Sequence, residues 1–295
     1  MKPLHEDQIH NPAWQKLCDM MWADDLHRPA KSGIWDYAVQ CARDYNMELV
    51  NYETLPGSGV IFVGMCHILE NIFESMPRTG SYIIVHRTND RPFTEEMYRS
   101  KPPCVKHIYT VDSRVYADDV SAIPFGNASI NGEDEIVKKV ANEYLPFNDK
   151  TKLFVRYNVN PDTPHRIEAL NYLKDKPFAK VITEQIPQDD FYRQCSSHEF
   201  TLALAGCGAD ASRQWTAIQL GSIPIVTDCP EMRHFEDLPL LYCPKNINDL
   251  TEEWLDKQGD VLENLMFDGI ITTDRMRMSY WENHLTEKKK QYGIS

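Results

Sequence analysis

Much that would classify a protein quickly is missing from this chain of 295 residues. No stretch approaches the roughly 20 apolar residues that span a bilayer. The N-terminal MKPLHEDQIHNPAWQ is polar and has no signal-peptide apolar core. Cysteine occurs eight times, at Cys18, Cys41, Cys66, Cys104, Cys195, Cys207, Cys229 and Cys243, yet no Cys-x-x-Cys pair exists. That scatter argues against zinc and leaves reduced thiols as the expectation. Together these absences give the expectation of a cytoplasmic site of action, where the sequon Asn127-Ala-Ser129 goes unused. Internal repeats and low-complexity tracts are absent too. Positive charge is scarce: 31 Lys and Arg against 44 Asp and Glu leave a formal net charge of -13. So acidic a surface repels phosphates and argues against a nucleic-acid binder. An anionic ligand would need a local basic pocket, for which Arg156, Arg166 and Arg213 are candidates. Lys288-Lys-Lys290 reads as a solvated helix end, since three lysines attract a membrane only weakly.

What is present is a soluble globular composition, 42% hydrophobic, 11% aromatic and 25% charged. The length suffices for two domains around separate cores. Apolar runs fitting strands alternate with helical patterns, which predicts α/β units with mainly parallel sheets. In the first half the strand-like runs are Val60–Met65, Tyr82–His86, His107–Val111 and Val120–Phe125. Helical stretches cover Trp14–Leu26, Asp36–Tyr45, His67–Met76 and Thr94–Arg99. Glu133–Tyr144 is amphipathic, and Pro146 closes it, which puts a domain boundary near Pro146-Phe147-Asn148-Asp149. A second series follows: strand Leu153–Tyr157, helix His165–Lys174, strand Ala179–Thr183 and helix Gln188–Cys195. Strand Leu240–Cys243 and helices Thr251–Phe267 and Asp274–Gln291 complete it. Met278, Trp281 and Leu285 share one face of the last helix.

The most informative segment is His198–Val226, HEFTLALAGCGADASRQWTAIQLGSIPIV within its flanks. An apolar run, Phe200–Ala205, ends at Gly206 and Gly208, which allow a sharp turn and a close backbone approach to a ligand. Ser212 is placed to cap the following helix, with Arg213 in its first turn. Gly221 stops that helix and Ile223–Val226 starts another strand. Free N–H groups, the helix dipole and a planar guanidinium together make an anion site, read here as a cradle for the diphosphate of a nucleotide sugar.

The segment resembles the donor-site segment of exostosin-like glycosyltransferases. That pattern has a Gly-x-Gly-x-Asp turn, an Arg-x-Trp-Glu-Ala helix start and a Leu-Gly-Ser-Ile-Pro-Ile-Val exit. Gly206, Gly208, Asp210, Arg213, Trp215, Ala217 and Gly221 to Val226 match it. Thr216 stands where the family usually has a glutamate that holds ribose hydroxyls, and Asp210 is an alternative for that role. The similarity extends over roughly Tyr82 to Cys243. VKHIYTVDSRVYADDVSAIPFG (105–126) resembles a strand, polar turn and Ile-Pro-x-Gly exit, and Phe154-Val-Arg-Tyr-Asn158 with Arg166 resembles the first strand and loop of the donor domain. The resemblance implies a GT-B architecture of α/β class, with two Rossmann-like domains facing a cleft and a C-terminal helix crossing back to the first. The expected divisions are an acceptor-binding domain over 1–147, a nucleotide-sugar donor domain over 148–270, and the returning helix within 271–295. Compact soluble members of this family occur in large algal viruses, so a bacterium or a virus-infected cell is the expected setting.

By the same resemblance the enzyme inverts, moving one sugar from a UDP- or GDP-linked donor to a glycan hydroxyl. Xylose, fucose, N-acetylglucosamine and glucuronate are all open as that sugar. Donor contacts are expected from Arg156, Asn158, Arg166, Gly206, Gly208, Asp210, Ser212, Arg213 and Thr227, with Asp228 beside them. Trp215 reads as core. Arg213 would also neutralise charge on the leaving diphosphate. An acceptor hydroxyl needs a base. Asp90, after the strand Tyr82–His86, and His67, after Val60–Met65, are candidates, with Asp112 and Asp36 not separable from them. GT-A transferases generally hold a divalent ion with Asp-x-Asp after a strand, and no Asp-x-Asp occurs here. No cofactor and no obligatory metal are therefore expected. Two other readings stay open. A dinucleotide-dependent oxidoreductase would use Gly206-Cys-Gly208-Ala-Asp-Ala211 as its fingerprint, and a non-catalytic GT-B scaffold would bind glycan alone. The oligomeric state is not legible.

Overall fold

The computed structural model describes residues 7–9, 11–23, 40–64, 69–87, 91–126, 133–143, 150–158, 162–206 and 208–295. The chain forms two compact units, one of residues 9–125 with 278–295, the other of residues 1–8 with 126–277. The expected boundary at 147/148 lies outside the described residues. The helix before it, α4 (Glu133–Ala141), buries Val137, Val140 and Ala141 against Phe154, Tyr192 and Leu220, and so belongs to the second unit.

The first unit is built on strands β1 (Met20–Trp22), β2 (Glu48–Val50), β3 (Ser58–Val63), β4 (Ser81–His86), β5 (Val105–Thr110) and β6 (Val120–Ala122). They pair in parallel in the order β2-β1-β3-β4-β5-β6. Alternation along β3 and β4 separates two cores. Val60, Phe62, Ile83 and Val85 face Trp14 on α1 (Asn11–Gln15), and with it Met278, Trp281 and Leu285 on the last helix, α10 (Met278–Tyr292). Ile61, Val63 and Ile84 face Ile72 and Phe73 on α2 (Leu69–Ser75) and Met97 on α3 (Glu95–Ser100). Burial on both faces is what a parallel sheet between helix layers requires, and it explains the near-continuous apolar runs. The last helix thus returns to the first unit through the three residues whose spacing predicted its apolar face. Its start is Met278, because Asp274–Met276 forms a 3-10 turn first.

The predicted helix over Trp14–Leu26 is a correction. Residues 11–15 are helical and Met20–Trp22 is a buried strand between β2 and β3. Three consecutive large apolar residues carry no period, so the strand merged with the helix pattern before it. Thr94 caps α3 as a helix start should, accepting from the Met97 N–H at 3.4 Å. Among the described residues no helix is long and apolar enough to cross a membrane.

The second unit has β7 (Thr151–Arg156), β8 (Ala179–Ile182), β9 (His198–Ala203), β10 (Ile223–Val226) and β11 (Leu241–Tyr242), all parallel, in the order β11-β10-β9-β7-β8. Its helices are α4, α5 (Pro164–Leu173), α6 (Gln188–Ser196), α7 (Ser212–Gln219), α8 (Pro230–Arg233) and α9 (Glu252–Phe267). Leu153 and Val155 of β7 face α5 and α9, while Phe154 faces α4 and α6. Both sheets therefore run 2-1-3-4-5 in chain order, and the first adds a sixth strand.

Candidate functional site

In an open sheet of this order, ligands bind beyond the carboxyl ends of the strands, where the winding reverses. In the second unit that switch point lies between β7 and β9. The residues ending β7 alternate across it. Tyr157 joins the core face of Leu153 and Val155, and Arg156 points to the other side with Phe154. A cavity of about 510 Å³ opens there. Arg156 and Asn158 line it from β7, and Ser212, Arg213 and Thr216 from α7. The β8–α6 connection contributes Gln185 to Pro187, and α6 contributes Gln188, Phe191 and Tyr192. Among the described residues the lining holds two arginines and no carboxylate.

The α7 N-terminus differs from the expectation in one useful way. Ala211, extended at φ -126 and ψ 157, is the N-cap, and Ser212 is the first helical residue. The N-cap side chain makes no capping bond and no acidic residue sits in the first turn. The Ala211 side chain therefore takes none of the leading N–H groups at the positive dipole end. Arg213 adds a full charge. Its guanidinium lies over the Tyr157 ring at 4.7 Å and the Phe191 ring at 5.6 Å from the centroids. Its Nε is buried without a hydrogen-bond acceptor, as is that of Arg156. No carboxylate pairs with either arginine among the described residues. Burial pulls the Arg213 guanidinium below its ordinary pKa, and the nearby charges of Arg166 and Arg156 pull the same way. Burial also pushes the adjacent Cys195 thiol up to about 12, so it supplies no neutralising thiolate. The result is an under-neutralised cationic spot in a protein of net charge -13.

The glycine turn behind the cavity is braced by side chains. The Ala205 N–H donates to Thr227 Oγ1 at 2.8 Å, and the Ala205 carbonyl contacts His165 Nε2 at 2.8 Å. Gln214 Nε2 donates to the Ala209 carbonyl at 3.0 Å. The Trp215 indole N–H donates to Asp210 Oδ1. Trp215 is fully buried, edge-on to Phe235 at 4.9 Å, in the core position expected of it. Gly206 has no positive φ. It is glycine for a different reason: a Cβ there would meet Arg166 Nη2 at 2.7 Å. Arg166 itself donates to the Leu204 carbonyl at 2.8 Å and, at 3.5 Å, to that of Asn158, tying the ends of β9 and β7 together.

The structure thus brings Arg156, Asn158, Ser212 and Arg213 around one cavity, while Arg166, Gly206, Gly208, Asp210 and Thr227 do not line it. Asp210 is only 6% exposed and holds an indole, and Thr227 and Arg166 hold backbone. Asp228 is bound by Arg233 through both oxygens, at 2.7 and 2.8 Å, which keeps its carboxyl below the usual range. His67, Asp90 and Asp36 lie outside the described residues. Asp112 is described, buried at the end of β5 with φ +50.

A crystal structure of an α1,3-fucosyltransferase matches this chain with a TM-score of 0.50 at 11% identity, covering 94% of this chain and 89% of that one. The two share a fold. A second, of α1,3-fucosyltransferase with GDP-fucose, gives a TM-score of 0.39 at 11% identity over 90% and 85% of the two chains. No family model matches the sequence, and no curated protein matches it either. The two parallel-sheet units and the helix returning to the first make an α/β fold of the GT-B kind, as the motifs implied.

Sequence reasoning passed over Tyr157, Phe191 and the Gln185–Gln188 segment. Tyr157 was within reach: strand alternation puts it one step out of phase with Arg156, at the switch point, between two candidate arginines. The Gln185–Gln188 segment carries no periodic or motif signal.

Proposed function

We propose that this protein is a nucleotide-sugar glycosyltransferase that moves a sugar from a UDP- or GDP-linked donor to a glycan hydroxyl. One observation carries the reading. Arg213, without a carboxylate partner among the described residues, sits beside the uncapped α7 N-terminus in a cavity at the switch point. A diphosphate supplies the missing negative charge. As the bond from sugar to phosphate breaks, charge builds on the leaving diphosphate, and a fixed guanidinium with aligned N–H groups stabilises it without reorganisation. Arg156 adds a second charge, and Asn158 and Ser212 offer polar contacts to phosphate or sugar. Charge stabilisation by the chain itself makes an obligatory metal unnecessary. The exostosin-like motif supports the same assignment, with inversion at the sugar and Asp90 or His67 as base for the acceptor hydroxyl. The α1,3-fucosyltransferase fold likeness puts a fucosyl donor among those to test first.

The dinucleotide reading is weaker on placement. Its fingerprint belongs to the first βα turn of the sheet. Here that turn follows β7 and carries Tyr157-Asn158, whereas Gly206 follows β9 and is backed by Arg166. Thermal unfolding against UDP- and GDP-sugars and NAD, followed by a transfer assay with and without EDTA, tests the proposal. A saturating donor stabilises the native state by a few kcal/mol, and transfer persists in EDTA. Stabilisation by NAD alone would overturn the transferase reading. Binding without transfer or donor hydrolysis would leave a scaffold, and loss in EDTA restored by manganese would overturn metal independence.

A further inference from the structure

We infer that Tyr157 is a positioning residue for the diphosphate grip, its ring holding the Arg213 guanidinium in place without neutralising it. The inference rests on the donor-site reading above. Both guanidinium carbons lie within reach of this one ring, at 4.7 Å for Arg213 and 4.9 Å for Arg166. Like charges so placed repel each other, and a carboxylate between them would cancel the field that a diphosphate needs. An aromatic face attracts a cation through its quadrupole while leaving its net charge intact. The ring cannot drift. Tyr157 is 2% exposed, and its hydroxyl accepts the Leu204 N–H at 3.0 Å at the end of β9. Arg166 is fixed from behind, since it fills the space over Gly206 and donates to the Leu204 carbonyl. Phe191 meets Arg213 as a second ring. Arg213, the one of the pair that lines the cavity, is thereby aimed, among the described residues, by aromatic faces.

The test keeps the full chain and changes only the ring's electronics. Tyr157→Phe is compared with phenylalanines of rising fluorine content placed at the same position, and each is titrated with inorganic pyrophosphate, UDP and GDP by calorimetry. Tyr157→Phe, which loses the hydroxyl that accepts the Leu204 N–H, sets the reference affinity for the series. Affinity should then fall stepwise with fluorine number, by on the order of tenfold at the pentafluoro ring, while the unfolding midpoint stays near that of Tyr157→Phe. A flat affinity across the series overturns the positioning role, because ring shape is kept and only the quadrupole is lost. Tyr157→Leu, where it folds, should bind pyrophosphate at least as weakly as the pentafluoro variant, and parental affinity there also overturns the role. A parent chain that binds none of the three probes brings down the donor-site reading itself, and this inference with it.

Discussion

Arg87 and Arg213 follow strands or start helices near the carboxyl ends of two sheets wound in the same order, and each guanidinium is packed on aromatic rings. Arg87 lies 6.0 Å from Trp14 and 5.9 Å from Phe125, and Arg213 lies 4.7 Å from Tyr157 and 5.6 Å from Phe191. The rings do not distinguish them. The acceptors do. Arg87, with 0% exposure, donates to the carbonyls of Pro124, at 3.3 Å, and Phe125. Among the described residues Arg213 makes no such bond, and its Nε is buried without an acceptor. A buried guanidinium bonded to backbone carbonyls acts as a strut, whereas one held by rings at a cavity wall is a charge kept ready for an anion.

The sharpest way to break this contrast is to delete each charge in turn. Arg213→Ala should cut sugar transfer by two to three orders of magnitude, the scale for losing a preorganised charge stabiliser, about 3 kcal/mol. Its urea unfolding should move by less than about 1 kcal/mol, since only ring contacts are lost. Turnover near the parent's would remove Arg213 from the mechanism. Arg87→Met should do the reverse. Two buried carbonyls lose a charged donor, which costs roughly 2 kcal/mol of stability in the first unit, read as faster amide exchange across β4 and β5. Pyrophosphate affinity should be unchanged. If Arg87→Met instead unfolds normally and loses binding, the two arginines have been assigned the wrong way round.

How much of this was legible follows from what each signal depends on. The strands β3, β4, β5, β7, β9 and β10 stand in long apolar runs because both faces of a parallel sheet are covered, and the sequence shows them plainly. Two of the three-residue strands, β1 and β2, were invisible, since neither Met20–Trp22 nor Glu48–Val50 stands in a long apolar run. Without them the first sheet could not be seen to share the 2-1-3-4-5 order. At the candidate site, the place of Arg213 at the start of α7 was legible because charge at a helix start is a local pattern. The backbone contacts of Arg166 and Thr227 were not legible, because each depends on a partner far along the chain: Leu204 for Arg166 and Ala205 for Thr227. Even Asp210, only five residues from Trp215, needed the helix to bring the indole round onto it.

The smallest expected effect sharpens the comparison within the second unit, between two helix starts. Thr251 caps α9, its Oγ1 accepting the Trp254 N–H at 3.2 Å, while Ala211 offers α7 nothing. Ala211 is already extended, the backbone an N-cap needs. Ala211→Ser should therefore stabilise the protein by about 0.5–1 kcal/mol, as the new hydroxyl accepts an N–H from the first turn. That same N–H is then withdrawn from any bound diphosphate. UDP or GDP affinity should weaken by a few-fold while the unfolding midpoint rises, two changes of opposite sign from one hydroxyl. Such an exchange of stability against binding is the expected mark of a helix end left open for a ligand. A midpoint that rises with affinity unchanged would mean that the anion leans on Arg213 and Arg156 alone, and that the bare N-cap of α7 has no part in holding it.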